Sequence, residues 1–270
     1  MQEVVFINGL RTAIGGFGGS LAQQRPTDLA AEVVKQLLAQ TGCAPERVGQ
    51  AVFGNVIHSE NADMYLSRVA AIKGGLPETT TALTLNRLCG SGLQAIITAA
   101  QQIQLGICDA VIAGGAESMS RAPYHLPSAR FGQRMGDSQM VDPMTGVLTC
   151  PFNLYHMGVT AENVAERFNV SREDQDALAL SSHQRAQKAI EDGRFASQIV
   201  PIEVGKRGKS EQFSRDEHVR FDCQLDQLSK MRPVFKKDGS VTAGNASGIN
   251  DAAAAVLMTS AAEAERQGLK

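Results

Sequence analysis

Residues 83–105, LTLNRLCGSGLQAIITAAQQIQL, decide the fold that we expect for this chain. The apolar residues before Asn86 favour a strand, and those from Leu93 onward recur every three or four positions, which is typical of a helix. Cys89 lies between these two elements, with Gly90 beside it. We therefore interpret the stretch as a strand, a tight turn that carries a thiol, and a helix.

The position of Cys89 favours a chemical role for its thiol. The unpaired N–H groups and the positive dipole end of a helix N-terminus favour thiolate over thiol. The nearby glycines let a substrate carbonyl approach the backbone, where an N–H group stabilises a developing oxyanion. The alternative interpretation is a small buried hydrophobic residue, and the spacing alone leaves both open.

The composition indicates a globular protein that binds neither nucleic acid nor a membrane. Of the 270 residues, 43% are hydrophobic and 20% are charged, and the net charge is −2. The chain therefore has no basic field to attract nucleic acid or an anionic bilayer. No apolar stretch is long enough to span a membrane, and we recognise no signal peptide. Five scattered cysteines indicate a reducing compartment and no zinc site, so we expect a cytoplasmic protein.

Strands and helices are predicted to alternate along the first part of the chain. Besides the strand and helix around Cys89, the predicted elements span residues 3–8, 28–40, 50–56, 64–73 and 109–118. Thr27 is the predicted N-cap of the first helix. This alternation favours an α/β fold with a mainly parallel sheet.

The alternation stops after Ser118. Residues 119–156 contain four prolines and no sustained period, which is typical of an inserted subdomain. Further along, Thr160 is predicted to cap a short helix, and Ser171 is predicted to open a capping box before a long one. The segment 252–260 is ambiguous, because its alanines favour a helix whereas its Val, Leu and Thr favour a strand.

Two glycine-containing segments lack the spacing that nucleotide binding requires. The segment 11–21 departs from the dinucleotide-binding fingerprint, and the segment 205–210 cannot be a P-loop because Glu203 stands where its first glycine is needed. We interpret the first as a loop and the second as a solvated, charged hairpin. Neither segment predicts a nucleotide cofactor.

Several motifs, in order along the whole chain, resemble those of the thiolase family, the acyl-CoA:acetyl-CoA acyltransferases. They are RTAIGGFGGSL from residue 11, NRLCGSGLQAI from residue 86, AGGAESMSRAPY from residue 113, YHMGVTAEN from residue 155 and VTAGNASGIND from residue 241. The resemblance implies a thiolase-like α/β core half, a mixed five-stranded sheet between helices, over residues 1–118 and 249–270. It also implies a loop domain inserted over residues 119–248, which binds CoA and mediates oligomerisation.

The same resemblance implies a role for individual residues. Cys89 would accept an acyl group as a thioester from acetyl-CoA, acetoacetyl-CoA or another 3-ketoacyl-CoA, with its own N–H group as an oxyanion donor. The residues that would bind the substrate or CoA are Leu148, His156, Met157, Arg220, Phe235, Ala243 and Ser247. For His156, binding is favoured over proton transfer, and a purely structural histidine is the alternative. Coenzyme A esters are the implied substrates, with no separate cofactor and no metal, and the implied assembly is a homo-oligomer, a dimer or a tetramer.

The chain departs from the family pattern in motifs that it lacks. A thiolase also has an Asn-Glu-Ala-Phe segment, a Gly-His-Pro motif whose His activates the nucleophile, and a second Cys that acts as acid and base; none occurs in this sequence. We therefore expect an acetyl-CoA C-acetyltransferase half that is inactive alone and exposes an apolar face. The alternatives are a non-catalytic half-thiolase that binds CoA esters or a partner subunit, and a relative of the ketoacyl synthases or hydroxymethylglutaryl-CoA synthases.

Overall fold

The structure is a computed structural model that describes residues 2–206 and 209–269. Within these residues the chain forms two compact units. The first takes its residues from Met1–Pro123, Gln198–Glu217 and Asn250–Lys270, and the second from Tyr124–Ser197 and His218–Ile249. The first unit is therefore assembled from three separate parts of the chain.

Nine strands are present in the described residues, and seven of them form one mixed sheet in the first unit. In chain order they are β1 (Val4–Thr12), β2 (Gly15–Gly16), β3 (Val48–Gly54), β4 (Thr81–Leu85), β5 (Ala110–Ser118), β6 (Ile199–Val200), β7 (Ile202–Lys206), β8 (Lys209–Phe213) and β9 (Asn250–Ser260). The order across the sheet is β4-β3-β5-β9-β1-β6, with β2 beside β9. Because β2 and β6 have two residues each, five strands carry the sheet, which confirms the predicted α/β core with a mixed five-stranded sheet.

Eight α-helices are found in the part of the chain that the structure describes. They are α1 (Pro26–Thr41), α2 (Leu66–Lys73), α3 (Ser91–Gln104), α4 (Pro143–Val147), α5 (Met157–Phe168), α6 (Arg172–Glu191), α7 (Leu225–Ser229) and α8 (Ala261–Gln267). Adjacent residues of β3 point to opposite faces of the sheet, so Phe53 packs with α1 and α2 whereas Val52 packs with α3. None of the described helices combines the length and the apolar character that crossing a bilayer would require.

β9 occupies the middle of the sheet and runs antiparallel to both β5 and β1. It contains the segment 252–260, whose conformation the sequence left ambiguous. Ala255 and Leu257 face the core beneath α1, whereas Met258 faces α3. Residues 257–260 are buried on both faces of the sheet, whereas buried and more accessible residues alternate from 250 to 256.

Two predicted helix caps are wrong and one is confirmed. Thr27 is not the N-cap of α1, because Pro26 already occupies its first helical position. Thr160 lies inside α5, which begins three residues earlier than Thr160 itself. Ser171 caps α6 as predicted, since its hydroxyl accepts a hydrogen bond from the Asp174 amide at 3.0 Å.

β7 and β8 form an antiparallel hairpin in the first unit. They include both ends of the charged segment 205–210, which was interpreted as a hairpin, and residues 207 and 208 of that segment lie outside the described residues. Val204 and Phe213 are buried in the core that α1 covers. The hairpin is therefore attached to the sheet by apolar side chains.

The segment 198–217 belongs to the first unit, although the sequence analysis included it in the insertion at 119–248. Two of the contacts that attach it there are made with β1. β6 pairs in parallel with the end of β1, and the Asp216 carboxylate binds the Arg11 guanidinium at 2.7 Å. The local sequence pattern contains no sign of these partners, which lie near the start of the chain.

Candidate active site

Cys89 lies in a short connection, the Cys89 turn (residues 86–90), between the end of β4 and the start of α3. Its side chain is exposed, so it is not a small buried hydrophobic residue. Within the described residues, the backbone N–H of Cys89 donates no hydrogen bond. The turn therefore presents both an accessible thiol and an unused N–H donor.

Hydrogen bonds from both ends hold the Cys89 turn. The Ser91 hydroxyl donates to the Leu88 carbonyl at 2.7 Å and accepts from the Arg87 amide at 2.9 Å. The Asn86 side chain accepts from the Leu88 amide at 2.9 Å. Leu88 itself has a φ of 49°, in the left-handed region that leucine rarely adopts. A strained residue thus directly precedes the thiol, as is common at sites where a side chain must be presented.

A cavity of about 240 Å³ opens beside the Cys89 turn, within the first unit. Leu88, Ser91 and Gly92 line one side of it, and small residues from β5 and β9 line much of the rest. Gly54 at the end of β3 also contributes, and its lack of a side chain lets β3 approach α3 closely. The cavity therefore lies where the Cys89 turn meets the carboxyl ends of β3 and β5 and the amino end of β9.

Glu117, at the end of β5, brings a carboxylate to this cavity. Its Oε1 accepts from the Asn55 side chain at 3.0 Å and from the Ile57 amide at 3.1 Å, and its Oε2 accepts from the Val56 amide at 2.9 Å. Burial raises the pKa of Glu117 to about 7 against these hydrogen bonds, which lower it. The nearby carboxylates of Asp63 and Asp251 contribute to this raised pKa.

The sequence analysis quoted Glu117 within a motif but gave it no role. A usable signal was present, because a carboxylate follows a run of small and apolar residues at the end of a buried strand. Functional side chains gather at the carboxyl ends of parallel strands in α/β sheets. Among the described residues, no cluster of three or more His, Cys, Asp or Glu side chains is suited to hold a metal ion.

Four of the predicted binding residues come together in the second unit and are called the His156 group: Leu148, His156, Met157 and Phe235. The His156 and Phe235 rings stack with their centroids 4.8 Å apart and an angle of 13° between their planes. The Met157 amide donates to the Leu148 carbonyl at 2.7 Å. His156 also caps α5, since its Nδ1 accepts from the Gly158 amide at 3.0 Å, which assigns the proton of the neutral ring to Nε2.

The other three predicted binding residues, Arg220, Ala243 and Ser247, make none of their described contacts with the His156 group. Arg220 has an exposed side chain, and its backbone N–H donates to Nδ1 of His183 at 3.2 Å. Ala243 and Ser247 are both exposed in the segment that precedes β9. Within the described residues, no hydrogen bond or ring stacking joins these three residues to the His156 group.

Glu162, which the sequence analysis also missed, supports the segment that contains Ala243. Its side chain is 4% exposed and accepts hydrogen bonds from the Ser240 and Val241 amides at 2.9 to 3.0 Å. Burial raises the pKa of Glu162, but the hydrogen bonds from Ser240 and Val241 and the charge of Lys236 together lower it more, so the net pKa lies below its ordinary value. Glu162 lies on α5, and His156 is the N-cap of the same helix. The helix therefore positions both the His156 group and the segment that contains Ala243.

The sequence of the chain matches a known family over nearly its whole length. Residues 4–262 match the family model described as the thiolase N-terminal domain. The chain is 58% identical over 270 residues to the beta-ketothiolase BktB of Cupriavidus necator, and the match covers 100% of this chain and 68% of that protein. The relatives thus contain a part to which this chain has no counterpart.

Solved structures agree with the sequence match. Bacillus anthracis acetyl-CoA acetyltransferase superposes with a TM-score of 0.96 at 43% identity, over 100% of this chain and 68% of that one. Human mitochondrial 3-ketoacyl-CoA thiolase in complex with CoA superposes with a TM-score of 0.94 at 40% identity, over 100% and 67%. With the fold, the thiol-bearing turn and both comparisons in agreement, the chain belongs to the thiolase family of acetyl-CoA acetyltransferases and beta-ketothiolases.

Proposed function

We propose that the protein acts as an acetyl-CoA C-acetyltransferase, which makes or cleaves acetoacetyl-CoA or another 3-ketoacyl-CoA through a thioester on Cys89. The observation that carries this proposal is the exposed Cys89 thiol, with an unused N–H donor at the same residue, beside a cavity at the start of α3. An accessible thiol at a helix N-terminus is well placed to act as a nucleophile.

In the direction of cleavage, the Cys89 sulfur attacks the C3 carbonyl of the 3-ketoacyl-CoA. The bond between C2 and C3 breaks, acetyl-CoA leaves with the proton from the thiol, and the remaining acyl group stays on Cys89 as a thioester. The thiol of free CoA then attacks this thioester, an acyl-CoA leaves, and the proton from CoA returns to Cys89. The Cys89 N–H stabilises the negative oxygen that develops in each attack.

We assign CoA binding to the second unit. The stacked rings of His156 and Phe235 offer a flat, largely apolar wall for the pantetheine arm, next to the partly exposed Met157. The exposed guanidinium of Arg220 suits an anionic phosphate. Leu148, Ala243 and Ser247 complete the proposed surface, and CoA esters are its substrates without a separate cofactor.

We further infer that the described residues accept an acyl group but do not turn over substrate alone. Condensation requires a base that removes a proton from the methyl group of acetyl-CoA. Within residues 2–206 and 209–269, no side chain forms a hydrogen bond with the Cys89 thiol, and this observation supports the inference.

We also propose that the protein works as a cytoplasmic homo-oligomer. Large apolar side chains are exposed on β4, the Cys89 turn and α3, namely Leu83, Leu88, Leu93 and Ile97. An apolar surface of this kind favours association. Sedimentation at several protein concentrations tests the oligomer, and a monomer at all concentrations would contradict it.

Intact-protein mass spectrometry after incubation with acetyl-CoA tests the thioester. We expect one added acetyl group on the wild type and on the control Cys150→Ala, and none on Cys89→Ala. Acetylation that survives in Cys89→Ala would overturn the nucleophile. A parallel assay of CoA-dependent acetoacetyl-CoA cleavage tests turnover, and full activity of the chain alone would show that a base lies among the described residues.

A further inference from the structure

Glu117 has no role in the steps proposed above, although it lines the cavity beside the Cys89 turn. Both of its carboxylate oxygens accept hydrogen bonds, and all three donors come from residues 55–57. Above its raised pKa of about 7, the ionised carboxylate of Glu117 offers acceptors on both sides and no proton. Glu117 therefore holds the loop that follows β3.

The residues at the end of β3 also contact both sides of the Cys89 turn. The Asn55 amide donates to the carbonyl of Leu85, the last residue of β4 before the turn, at 3.1 Å. On the other side, a Cβ atom built on Gly54 would lie 2.6 Å from the Cβ of Ser91, the first residue of α3. Residues 54–57 thus lie between Glu117 and the turn, in contact with each.

We propose that Glu117 is a positioning residue for Cys89, which fixes the direction of its thiol and N–H by holding the end of β3 and the loop after it, residues 54–57, against both ends of the Cys89 turn. This proposal rests on the proposed function, because it gives Glu117 a task in acylation. A nucleophile and an oxyanion donor on one residue must both point at a single carbonyl. A displacement of about 1 Å costs on the order of a hundredfold in rate.

The substitution Glu117→Gln tests this link without changing the length of the side chain. The side-chain amide of glutamine carries an NH₂ group in place of one carboxylate oxygen. This NH₂ group must face either the Val56 N–H or the two donors that bind Oε1. The matched control is Glu217→Gln in the same unit, because Glu217 accepts from the Gly16 and Ser20 amides in a different loop.

The rates of two reactions of Cys89 distinguish a loss of its positioning from a change in the accessibility of its thiol. Iodoacetamide alkylates an exposed thiol without an oxyanion donor, whereas acetyl-CoA needs both the thiol and the N–H in place. We expect Glu117→Gln to lower the rate of Cys89 acetylation by about tenfold or more, relative to its rate of alkylation. Glu217→Gln should leave that ratio within about twofold of wild type. An unchanged ratio in Glu117→Gln would overturn the proposal.

Amide hydrogen exchange provides a second test of the positioning role, an arm of the experiment that does not depend on acyl transfer. Glu117→Gln should raise exchange in residues 85–91 and not in residues 14–20, and Glu217→Gln should do the reverse. If the wild type is not acetylated at all, the proposed function fails and this arm alone decides the role of Glu117. If Glu117→Gln does not fold, Glu117→Asp, which keeps the charge but retracts it, takes its place. Wild-type exchange in residues 85–91 of the folded variant would overturn the link.

Discussion

Gly54, the last residue of β3, approaches the first residue of α3 so closely that a Cβ atom on it would lie 2.6 Å from the Ser91 Cβ. Ser91 in turn holds the Cys89 turn through two hydrogen bonds. The close approach of β3 to α3 therefore affects the position of the Cys89 turn directly. Only glycine allows this approach without moving the helix.

We predict that Gly54→Ala destabilises the protein by about 1–3 kcal/mol, because the new methyl group displaces Ser91 and the start of α3. The control is Gly92→Ala, one residue into the same helix, where a Cβ atom meets nothing within 4 Å. That change should stabilise the protein by about 0.5–1 kcal/mol. Urea unfolding of both variants measures the difference, and equal stabilities would contradict the close approach.

The left-handed backbone of Leu88 leads to a second prediction. A β-branched residue tolerates a φ of 49° poorly, so Leu88→Ile should cost about 1–3 kcal/mol of unfolding free energy. Leu93→Ile is the matched control, because both leucines are exposed, at 54% and 63%, but Leu93 lies in regular helix. Its cost should be a few tenths of a kcal/mol. Thermal unfolding distinguishes the two, and similar losses would argue against strain at Leu88.

Glu117 should also give the stability a distinct pH dependence. Its ordinary pKa of 4.5 applies to the unfolded chain, and burial raises the pKa to about 7 in the folded protein. Between these values the folded state binds more protons than the unfolded state, so rising pH lowers the free energy of unfolding. The loss from Glu117 is at most about 3 kcal/mol and is complete above the folded pKa.

Urea unfolding of wild type and Glu117→Gln across this pH range measures that loss. The free energy of unfolding of the wild type should fall relative to that of the variant as the pH rises from 4.5 to about 7. At higher pH the difference between the two should be constant. Curves that stay parallel throughout would mean that Glu117 does not titrate in this range. The comparison of the wild type with the variant cancels the contribution of the carboxylates that do not interact with Glu117.

In the second unit, Gly158 offers a test of the proposed CoA surface. A Cβ atom on Gly158 would overlap the Phe235 ring, so Gly158→Ala should displace this ring from its stacking on His156. We expect CoA binding to weaken by roughly tenfold, which corresponds to about 1.4 kcal/mol. Gly146→Ala in α4, where a Cβ atom has open space, should bind CoA as wild type does. Isothermal titration calorimetry measures both affinities.

The elements that the sequence predicted well are those with local signals. The strand and helix on either side of Cys89 follow from periodicity over short windows, and Ser171 caps α6 through an atom three residues away. The segment 252–260 could not be assigned, because alanine favours a helix when it is considered alone. Its strand conformation results from two neighbouring strands that lie far from it in sequence.

The same distinction applies to the site. The sequence indicates the place of Cys89 at a strand-to-helix turn directly, whereas the exposure of its side chain, which the spacing left open, is seen only in the structure. The role of Glu117 depends on donors from residues 55–57, about sixty positions earlier in the chain. Likewise, Glu162 binds the amides of Ser240 and Val241 across a long loop. Such partnerships arise only when the chain folds.

The central place of β9 also constrains how the protein is made. A ribosome releases β1 and β5 early, but the strand that joins them comes from residues 250–260. Until that segment emerges, β1 and β5 each present an unpaired edge, and such edges pair readily with other chains. The sheet therefore closes only after residues 250–260 have emerged, through contacts of high sequence separation that form slowly. A chaperone that shields the edges of β1 and β5 until then would raise the yield of folded protein.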